Sequence, residues 1–377
     1  MLFQLPQEAF EIQKLVRQLT EKYQMPLQER LLRGEKLTRK DYLPGMKAAK
    51  ELGLWGFDVP ESYGGAGISA LVRSVVISEA SKCIAPLAFG GVFPPALFES
   101  NDTVKDRYLD RALNDELSIA FAQTEPSGGA DPSRAIRTRA VRKGDRWVVN
   151  GTKVYITNAG EADVIFVVCL TDPEKGAKGI SILCVEKDNP GLTISPPKMV
   201  VGNREVFELY FDDCEVPCEM VLGGEGKGFA GAQKFLSALR FDVGAKGLGV
   251  ATRAYELMRD YAKERVAFGS ALSEKQAIQS MVVDSHMAIE QANLYMWQSC
   301  EKCDNGIDTR VEAGMVKTIG TELSCVVLDR AIQVHGGAGV MMDSPLAYWW
   351  GNQRPPRIFE GPSEVHKYHV MARHLLR

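Results

Sequence analysis

The segment WVVNGTKVYIT, residues 147–157, decides the class of fold because strand-forming residues flank its Asn-Gly pair. Asn-Gly is a preferred pair in two-residue hairpin turns, so the segment predicts two antiparallel strands joined at Asn150 and Gly151. Another turn is expected at residues 143–144. Further apolar or alternating runs predict strands at residues 164–170, 180–185 and 205–211. Residues 116–222 are therefore expected to form a central antiparallel β unit.

The residues before this unit show helical periodicity instead. Apolar side chains recur at helical spacing near the start of the chain, at Ile12, Leu15, Val16 and Leu19. Thr38, followed three positions later by Asp41, has the pattern of a helix start. The mostly small and apolar residues 77–89 are expected to pass through the core. Residues 1–115 are thus predicted to form an N-terminal helical domain.

The residues after the β unit predict longer helices and a C-terminal helical bundle domain over residues 223–377. An apolar helical stripe follows the glycine-rich turn at residues 223–228 and is interrupted by Gly244, Gly247 and Gly249. Each glycine inside a helix costs about 1 kcal/mol, so the three predict a neighbouring backbone or a ligand in close contact. Further helices are expected at residues 276–303, 311–334 and 366–376.

Composition and charge exclude several classes of function. A length of 377 residues predicts two or three packed units. The net charge of −3, without a basic block, argues against nucleic-acid binding. The longest apolar run, residues 164–170, is too short to span a bilayer, so no membrane insertion is expected. Without an export signal, we expect a cytoplasmic protein whose eight cysteines are reduced.

Common metal and nucleotide motifs are missing from the sequence. Cys300 and Cys303 form a C-x-x-C pair, but no second pair lies at zinc-binding spacing, so no metal site is expected. The turn GGEGKG resembles a phosphate loop, yet Gly228 occupies the position that requires Ser or Thr. No G-x-G-x-x-G follows a strand, which argues against a Rossmann site. A dinucleotide would therefore have to be bound in another way.

A candidate catalytic group lies near the C-terminus, in IFEGPSE, residues 358–364. Glu360 follows two apolar residues, and burial at that place would raise the pKa of its carboxyl group. The upstream run QVHGGAG, residues 333–339, lets a backbone approach a bulky ligand because its glycines lack a Cβ atom. Taken alone, a Glu-Gly pair is more typical of a solvated turn than of a catalytic site.

Five motifs, in order along nearly the whole chain, together resemble the signatures of the FAD-dependent acyl-CoA dehydrogenases. They are QTEPSGGAD at 123–131, NGTKVYITN at 150–158, RVAFG at 265–269 with Gln276 beyond it, QVHGGAG at 333–339 and FEGPSE at 359–364. The resemblance implies an α+β multidomain fold with an N-terminal helical domain, a central antiparallel β-barrel and a C-terminal four-helix bundle. This organisation agrees with the one expected from periodicity.

The resemblance also implies a reaction, the α,β-dehydrogenation of an acyl-CoA thioester to the trans-2-enoyl-CoA. Glu360 would abstract the α-proton and N5 of FAD would accept the β-hydride, while the backbone N–H of Glu360 and a ribityl hydroxyl hold the thioester oxygen. Some relatives carry the base at the position of Leu239, which cannot accept a proton. The alternatives are a flavin oxidase or monooxygenase on the same fold, and a non-catalytic CoA- or flavin-binding module.

Binding residues follow from the same resemblance. One side of the flavin would contact Phe121, Gln123, Thr124, Gly129, Ala130, Tyr155 and Thr157. The rest of FAD, across a subunit boundary, would contact Arg265, Phe268, Gln276, Gln333, Gly336 and Gly337, with Glu364 also in the cofactor set. The substrate set is Ala130, Arg240, Phe359 and Gly361. The expected partners are an acyl-CoA, electron-transferring flavoprotein as electron acceptor, and further copies of the chain in a dimer or tetramer.

Four departures from the family pattern concern the candidate site. Ala130 replaces a common serine, Tyr155 replaces a tryptophan, and Pro362 replaces a threonine. The segment WWGNQRPPR, residues 349–357, stands where many relatives carry an Arg-Asp pair and no prolines. We therefore expect the loop before Glu360 to have its own local structure.

Overall fold

Helices occur at both ends of the chain and strands in its centre, as the change in periodicity predicts. A computed structural model describes residues 5–57, 59–90, 93–202 and 204–376. Two compact units make up the chain. Unit 1 contains Met1–Phe57, Ala66–Phe89 and Ser237–Arg377, and unit 2 contains Asp58–Gly65 and Gly90–Leu236.

The described helices, numbered in chain order, are α1 Gln7–Leu19, α2 Met25–Leu32, α3 Arg39–Glu51, α4 Ala70–Ala80, α5 Pro95–Phe98, α6 Asp102–Leu113, α7 Pro132–Ala135, α8 Gly228–Glu264, α9 Gln276–Asp304, α10 Arg310–His335, α11 Pro345–Gln353 and α12 Ala372–Leu376. Segments of π-helix are Thr20–Gln24 and Val365–Met371. Short 3-10 turns are Glu61–Tyr63, Pro173–Gly179, Leu272–Glu274, Gly336–Val340 and Pro355–Arg357. Among the described residues, no helix has both the length and the apolar character needed to cross a bilayer.

The described strands are β1 Ile119–Ala122, β2 Arg139–Lys143, β3 Arg146–Ile156, β4 Val164–Leu170, β5 Ile180–Glu186, β6 Leu192–Ile194, β7 Lys198–Val200, β8 Arg204–Pro217, β9 Val266–Ala267 and β10 Ser270–Ala271. The large sheet has the order β1-β4-β2-β3-β8-β6, with β5 paired to β4 and β7 paired to β8. Most pairs are antiparallel, but β1 runs parallel to β4, with Ile119 opposite Val164, and β2 pairs in parallel with β4 at Arg139 and Leu170. β4 has the predicted bounds, and its continuous apolar run reflects burial of the strand on both faces.

The hairpin predicted at Asn150 and Gly151 is wrong, because β3 passes through both residues as one strand. The Asn150 amide is engaged with Asp213 of β8, accepting its backbone N–H at 2.9 Å and donating to its carboxylate at 3.0 Å. The pairing of β3 with β8 shifts register at this point, so the Asn-Gly pair forms a bulge. The actual hairpin joins β2 and β3 through the turn at residues 143–146, close to the other predicted turn.

The glycines within α8 confirm the expected close contact and show that the neighbour is backbone. A Cβ atom on Gly244 would lie 2.7 Å from the carbonyl oxygen of Val316, and one on Gly247 would lie 2.6 Å from the carbonyl carbon of Gly320. α8 and α10 therefore cross with their backbones in contact, which requires the missing side chains. The two helices carry several of the groups that surround Glu360.

Helix boundaries in unit 1 agree well with the sequence. α3 starts where predicted, with the backbone N–H of Thr38 donating to the Asp41 carboxylate at 2.6 Å. This bond, with those from Arg30 and from the Thr38 hydroxyl, lowers the pKa of Asp41 to about 2. The helix expected at residues 366–376 starts as π-helix and continues as α12, whereas Arg377, expected at its end, lies outside the described residues.

Candidate functional site

Glu360 lies in unit 1, in the short loop between the 3-10 turn at Pro355–Arg357 and the π-helical segment Val365–Met371. Its backbone is left-handed, with φ of +55°, and the next residue, Gly361, has φ of +96°. A side-chain-bearing residue adopts this conformation at a cost of roughly 1–2 kcal/mol. Such strain persists where surrounding groups fix the backbone, and functional sites are frequent examples.

The Glu360 carboxyl group is desolvated and incompletely paired. Its Oε2 atom is buried and has no hydrogen-bond partner among the described residues. Burial raises the pKa of Glu360, while the positive charges of Arg240, Lys317 and Lys246 oppose that rise without cancelling it. A carboxylate with a raised pKa and a buried oxygen that has no hydrogen-bond partner is suited to accept a proton from a weak acid.

Two consecutive backbone carbonyls of the loop are held by three side chains. The Glu360 carbonyl oxygen accepts hydrogen bonds from Arg240 Nε at 3.1 Å and from His366 Nε2 at 3.0 Å. The Gly361 carbonyl oxygen accepts one from Lys317 Nζ at 2.8 Å. These donors belong to α8, α10 and the π-helical segment. The backbone on both sides of the carboxyl-bearing residue is therefore tied to three elements.

His366 acts as a neutral donor packed between two glycines. The residue is 1% exposed, and burial, followed by the charge of Arg240, lowers the pKa of the imidazole to about 4. Because its partner is a carbonyl oxygen, Nε2 must carry the proton. A Cβ atom on Gly361 would lie 2.8 Å from Nε2, and one on Gly314 would lie 2.9 Å from Nδ1. The ring therefore has little room to turn away.

Lys317 is fully buried, and burial lowers the pKa of its ammonium group to about 8. Neither Lys317 nor His366 is among the site residues that the sequence motifs predicted. The sequence does contain a pattern that could have indicated Lys317. The lysine shares one face of α10 with small residues, which are Gly314, Gly320, Thr321 and Ser324. A lysine on a small-residue face is expected to be buried and to have a specific acceptor.

Glu322 of α10 anchors the loop at both ends. Its carboxylate pairs with the Arg357 guanidinium at 2.7 Å and accepts the Ser363 hydroxyl at 2.6 Å. The unusual segment before Glu360 thus has a structural role, since its two prolines begin the 3-10 turn that ends at Arg357. Trp349 of α11, in the same segment, is 4% exposed and belongs to a hydrophobic core cluster.

Unit 2 brings two of the flavin motifs together around a buried ion pair. Lys153 Nζ contacts Glu125 Oε1 at 2.7 Å and donates to the Gln123 carbonyl at 3.0 Å. The backbone N–H of Val154 donates to the Thr124 carbonyl at 2.9 Å. The segment that contains Gln123 and Thr124 is thereby fixed beside β3. Sequence patterns offered no signal for this pair, because both charges lie inside motifs that were assigned to cofactor contacts.

The other unit 2 residues predicted to contact the flavin are mostly exposed. Tyr155 has φ of +60° and is 70% exposed, and Thr157 and Ala130 are also exposed. Gly129 lies against Thr124, where a Cβ atom would be 3.2 Å from the threonine methyl group. Phe121 of β1 is partly buried. An exposed aromatic ring on a strained backbone fits a planar cofactor.

The predicted FAD residues of unit 1 lie mainly at helix ends. Phe268 forms the tip of the β9–β10 ribbon, with φ of +52° and a side chain that is 98% exposed. The rings of Tyr261 and His335 stack with centroids 4.2 Å apart, which places the end of α8 beside the end of α10. The structure thus brings Arg265 and Gln333, at those two ends, into one region.

Four further members of this set are also accessible. Gln276 begins α9 and is exposed, as is Glu364. Cβ atoms on Gly336 or Gly337 would meet no heavy atom within 4 Å, so their backbone is open to a ligand. The exposed Gln276 amide and the open glycine backbone fit a phosphate-bearing group, whereas the Glu364 carboxylate does not. In the substrate set, Phe359 is 38% exposed, whereas Arg240 and Gly361 form part of the carbonyl network described above.

Three successive parts of the chain match the three domains of acyl-CoA dehydrogenase. The N-terminal domain matches residues 6–116, the middle domain residues 120–214 and the C-terminal domain residues 226–376. The acryloyl-CoA reductase (NADH) of Anaerotignum propionicum is 34% identical over 384 residues, covering 100% of this chain and 96% of that protein.

Solved structures agree with the sequence comparison. Butyryl-CoA dehydrogenase from Megasphaera elsdenii has a TM-score of 0.85 at 29% identity, covering 100% of both chains. The FAD complex of PigA has a TM-score of 0.88 at 27% identity, covering 100% of this chain and 99% of that chain. These matches confirm the fold class and the family of FAD-dependent oxidoreductases that the motifs predicted. The chain belongs to the acyl-CoA dehydrogenase family.

Proposed function

We propose that the chain dehydrogenates an acyl-CoA thioester to the trans-2-enoyl-CoA, with Glu360 as the base that removes the α-proton. The observation that carries this proposal is the buried, unpartnered Oε2 atom of Glu360, on a left-handed backbone held by three side chains. FAD, when bound, supplies the acceptor for the β-hydride. Family membership and the exposed sets of predicted cofactor residues support the choice of FAD.

The residues of the chain account for the proton transfer. The α-proton of the thioester moves to Glu360 Oε2, and desolvation raises the pKa of that carboxyl toward the working pH. The backbone N–H of Glu360 is the proposed donor to the thioester oxygen, where negative charge develops.

The cofactor contacts belong to the same proposal. Phe121, Gln123, Thr124, Gly129, Ala130, Tyr155 and Thr157 would contact the flavin, and Arg265, Phe268, Gln276, Gln333, Gly336, Gly337 and Glu364 the rest of FAD. The residues from Arg265 to Glu364 in this set would bind the FAD of a neighbouring copy of the chain, in a dimer or tetramer. Electron-transferring flavoprotein is the proposed electron acceptor.

Reduction of an enoyl-CoA is a second candidate function. The acryloyl-CoA reductase that is 34% identical over the full chain favours it. The same residue serves both directions, because a protonated Glu360 would return the proton to the α-carbon. The direction of net flux then depends on the electron donor or acceptor.

An anaerobic titration tests the proposal. The flavin-loaded protein is mixed with a panel of acyl-CoA thioesters while flavin absorbance is followed. We expect bleaching by at least one thioester, and its loss in Glu360→Gln. Glu312→Gln, which changes a glutamate on α10 that pairs with Lys302, is the matched control and should bleach normally.

The outcomes separate the candidate functions. If no thioester bleaches the flavin, or if Glu360→Gln bleaches as fast as the wild type, the proposed base is wrong. Bleaching followed by rapid reoxidation in air would favour an oxidase or monooxygenase. Reoxidation of the reduced flavin by an enoyl-CoA, faster than by electron-transferring flavoprotein, would favour the reductase.

A further inference from the structure

We propose that Lys317 and His366 are positioning residues for Glu360, which hold the carbonyls of Gly361 and Glu360 and so fix the direction of the reactive carboxyl group. This inference rests on the proposed function of Glu360 as the base. Neither residue donates a hydrogen bond to Oε2 of Glu360. Each donates to a backbone carbonyl of the loop and therefore acts on the carboxyl group through the backbone.

The need for such residues follows from the backbone conformation. Glu360 has a positive φ angle, which a residue with a side chain seldom adopts unless contacts favour it, whereas Gly361 adopts its positive φ without strain. Side chains around the loop hold the carbonyl oxygens of these two residues. Lys317 donates to that of Gly361 at 2.8 Å, and His366 at 3.0 Å and Arg240 at 3.1 Å donate to that of Glu360. Loss of Lys317 removes the side-chain donor to the Gly361 carbonyl, whereas loss of His366 leaves the Glu360 carbonyl held by Arg240 alone. In either case the carboxyl group is held less firmly in its position, even though Glu360 itself is unchanged.

The two donors differ in charge, which separates their effects. Lys317 is a buried ammonium whose positive charge favours the ionised form of Glu360. His366 is a neutral imidazole near pH 7, because burial and the charge of Arg240 keep the pKa of its ring at about 4. Removing the charge of Lys317 should therefore change the acidity of Glu360. Removing His366 should change the position of the Glu360 carboxyl group and leave its pKa unchanged.

Other charged groups face the same region and stay in place in these variants. α8 contributes Arg240 and Lys246. α10 contributes Glu322, and the segment before the C-terminal π-helix contributes Glu364. The negative charges of both raise the pKa of Lys317. Since none of these groups is altered in the variants, a shift in the titration of Glu360 reports the charge of Lys317.

Four variants separate hydrogen bonding from charge. Lys317→Gln and His366→Gln keep an N–H donor, whereas Lys317→Met and His366→Leu remove it. We expect Lys317→Met and His366→Leu to slow anaerobic flavin reduction about tenfold or more, and the glutamine variants to retain most of the rate. Binding of a non-reactive thioether analogue of the substrate should change less than the rate, because the donors hold the base and not the ligand.

The pH profile distinguishes positioning from a general loss of structure. In both Lys317 variants the acid limb of the reduction rate should move to higher pH by about one unit, because a cation that favoured the carboxylate is lost. In both His366 variants the limb should stay where it is in the wild type. A lower rate with an unshifted limb in Lys317→Met and Lys317→Gln would overturn the role given to Lys317. An unchanged rate in His366→Leu would overturn that of His366.

A readout without turnover keeps this test distinct from the test of function. The infrared difference spectrum between each flavin-loaded protein and its Glu360→Gln partner reports titration of the Glu360 carboxyl without substrate. We expect a higher pKa in the Lys317 variants and an unchanged one in the His366 variants. If no thioester bleaches the wild type, the proposed function fails, and this titration still decides the inference. Identical titration curves in wild type and Lys317→Gln would refute it.

Discussion

The buried pair between Lys153 and Glu125 gives the sharpest prediction about stability, through the variant Lys153→Met. The Lys153 side chain is 0% exposed and that of Glu125 is 3% exposed, so the variant leaves a carboxylate inside unit 2 without its counter-ion. Two donors remain, the backbone N–H groups of Arg137 at 2.6 Å and of Thr138 at 3.0 Å. Breaking a buried pair by removing one partner costs about 3–5 kcal/mol. Because the two amides still solvate the carboxylate, we expect about 3 kcal/mol, the lower end of that range.

The pH dependence of this loss has a definite sign. In the wild type, burial raises and the Lys153 charge lowers the pKa of Glu125, and the net result is below its usual value. The wild-type pair is therefore intact above pH 4.5, the usual pKa of a glutamate, and is lost only as the pH falls through the lower folded-state value. In Lys153→Met the charge that most opposes burial is lost and only the hydrogen bonds to Glu125 still oppose it, so that pKa rises. The variant should thus recover part of its stability as the pH falls, when Glu125 becomes neutral.

Urea unfolding at pH 7 and at pH 5 measures both effects. The double variant Glu125→Gln/Lys153→Met removes both charges and should be more stable than Lys153→Met. Because Lys153 also holds the Gln123 carbonyl, we expect weaker FAD binding in Lys153→Met, measured by titrating the apoprotein. A loss below about 1 kcal/mol at pH 7, or a loss that grows toward pH 5, would contradict this reasoning.

Two further predictions concern unit 1. Gly247→Ala places a methyl group against the Gly320 backbone, so we expect α8 and α10 to separate and the free energy of unfolding to fall by about 1–3 kcal/mol despite the better helix propensity. Gly231→Ala, on the same helix and with its nearest neighbour at 3.5 Å, is the control and should not destabilise; equal urea midpoints for the two variants would contradict the crossing. Glu322→Gln weakens the anchors of the Glu360 loop, so kcat should fall while stability changes by only about 1 kcal/mol. A fall in stability without a change in kcat would show that the anchor serves the fold alone.

Much of the secondary structure follows from local sequence, since strong periodicity and end signals depend on neighbouring residues. The bounds of β4 and the start of α3 are examples, the latter because Thr38 and Asp41 satisfy each other within one turn. The Asn-Gly pair shows where local preference fails. Its turn propensity was overridden by hydrogen bonds to Asp213, a residue 63 positions away that the local pattern does not report.

The candidate site also has features that the sequence alone predicts and features that depend on the tertiary structure. The sequence alone pointed to Glu360 and to the family, because motif order and residue identity are properties of the chain. Only the tertiary structure showed how Glu360 is held, through Arg240 and Lys317, which contact the loop from 120 and 44 positions away. Burial and hydrogen-bond geometry depend on how distant segments pack, and these determine both the strained backbone at Glu360 and the raised pKa of its carboxyl group.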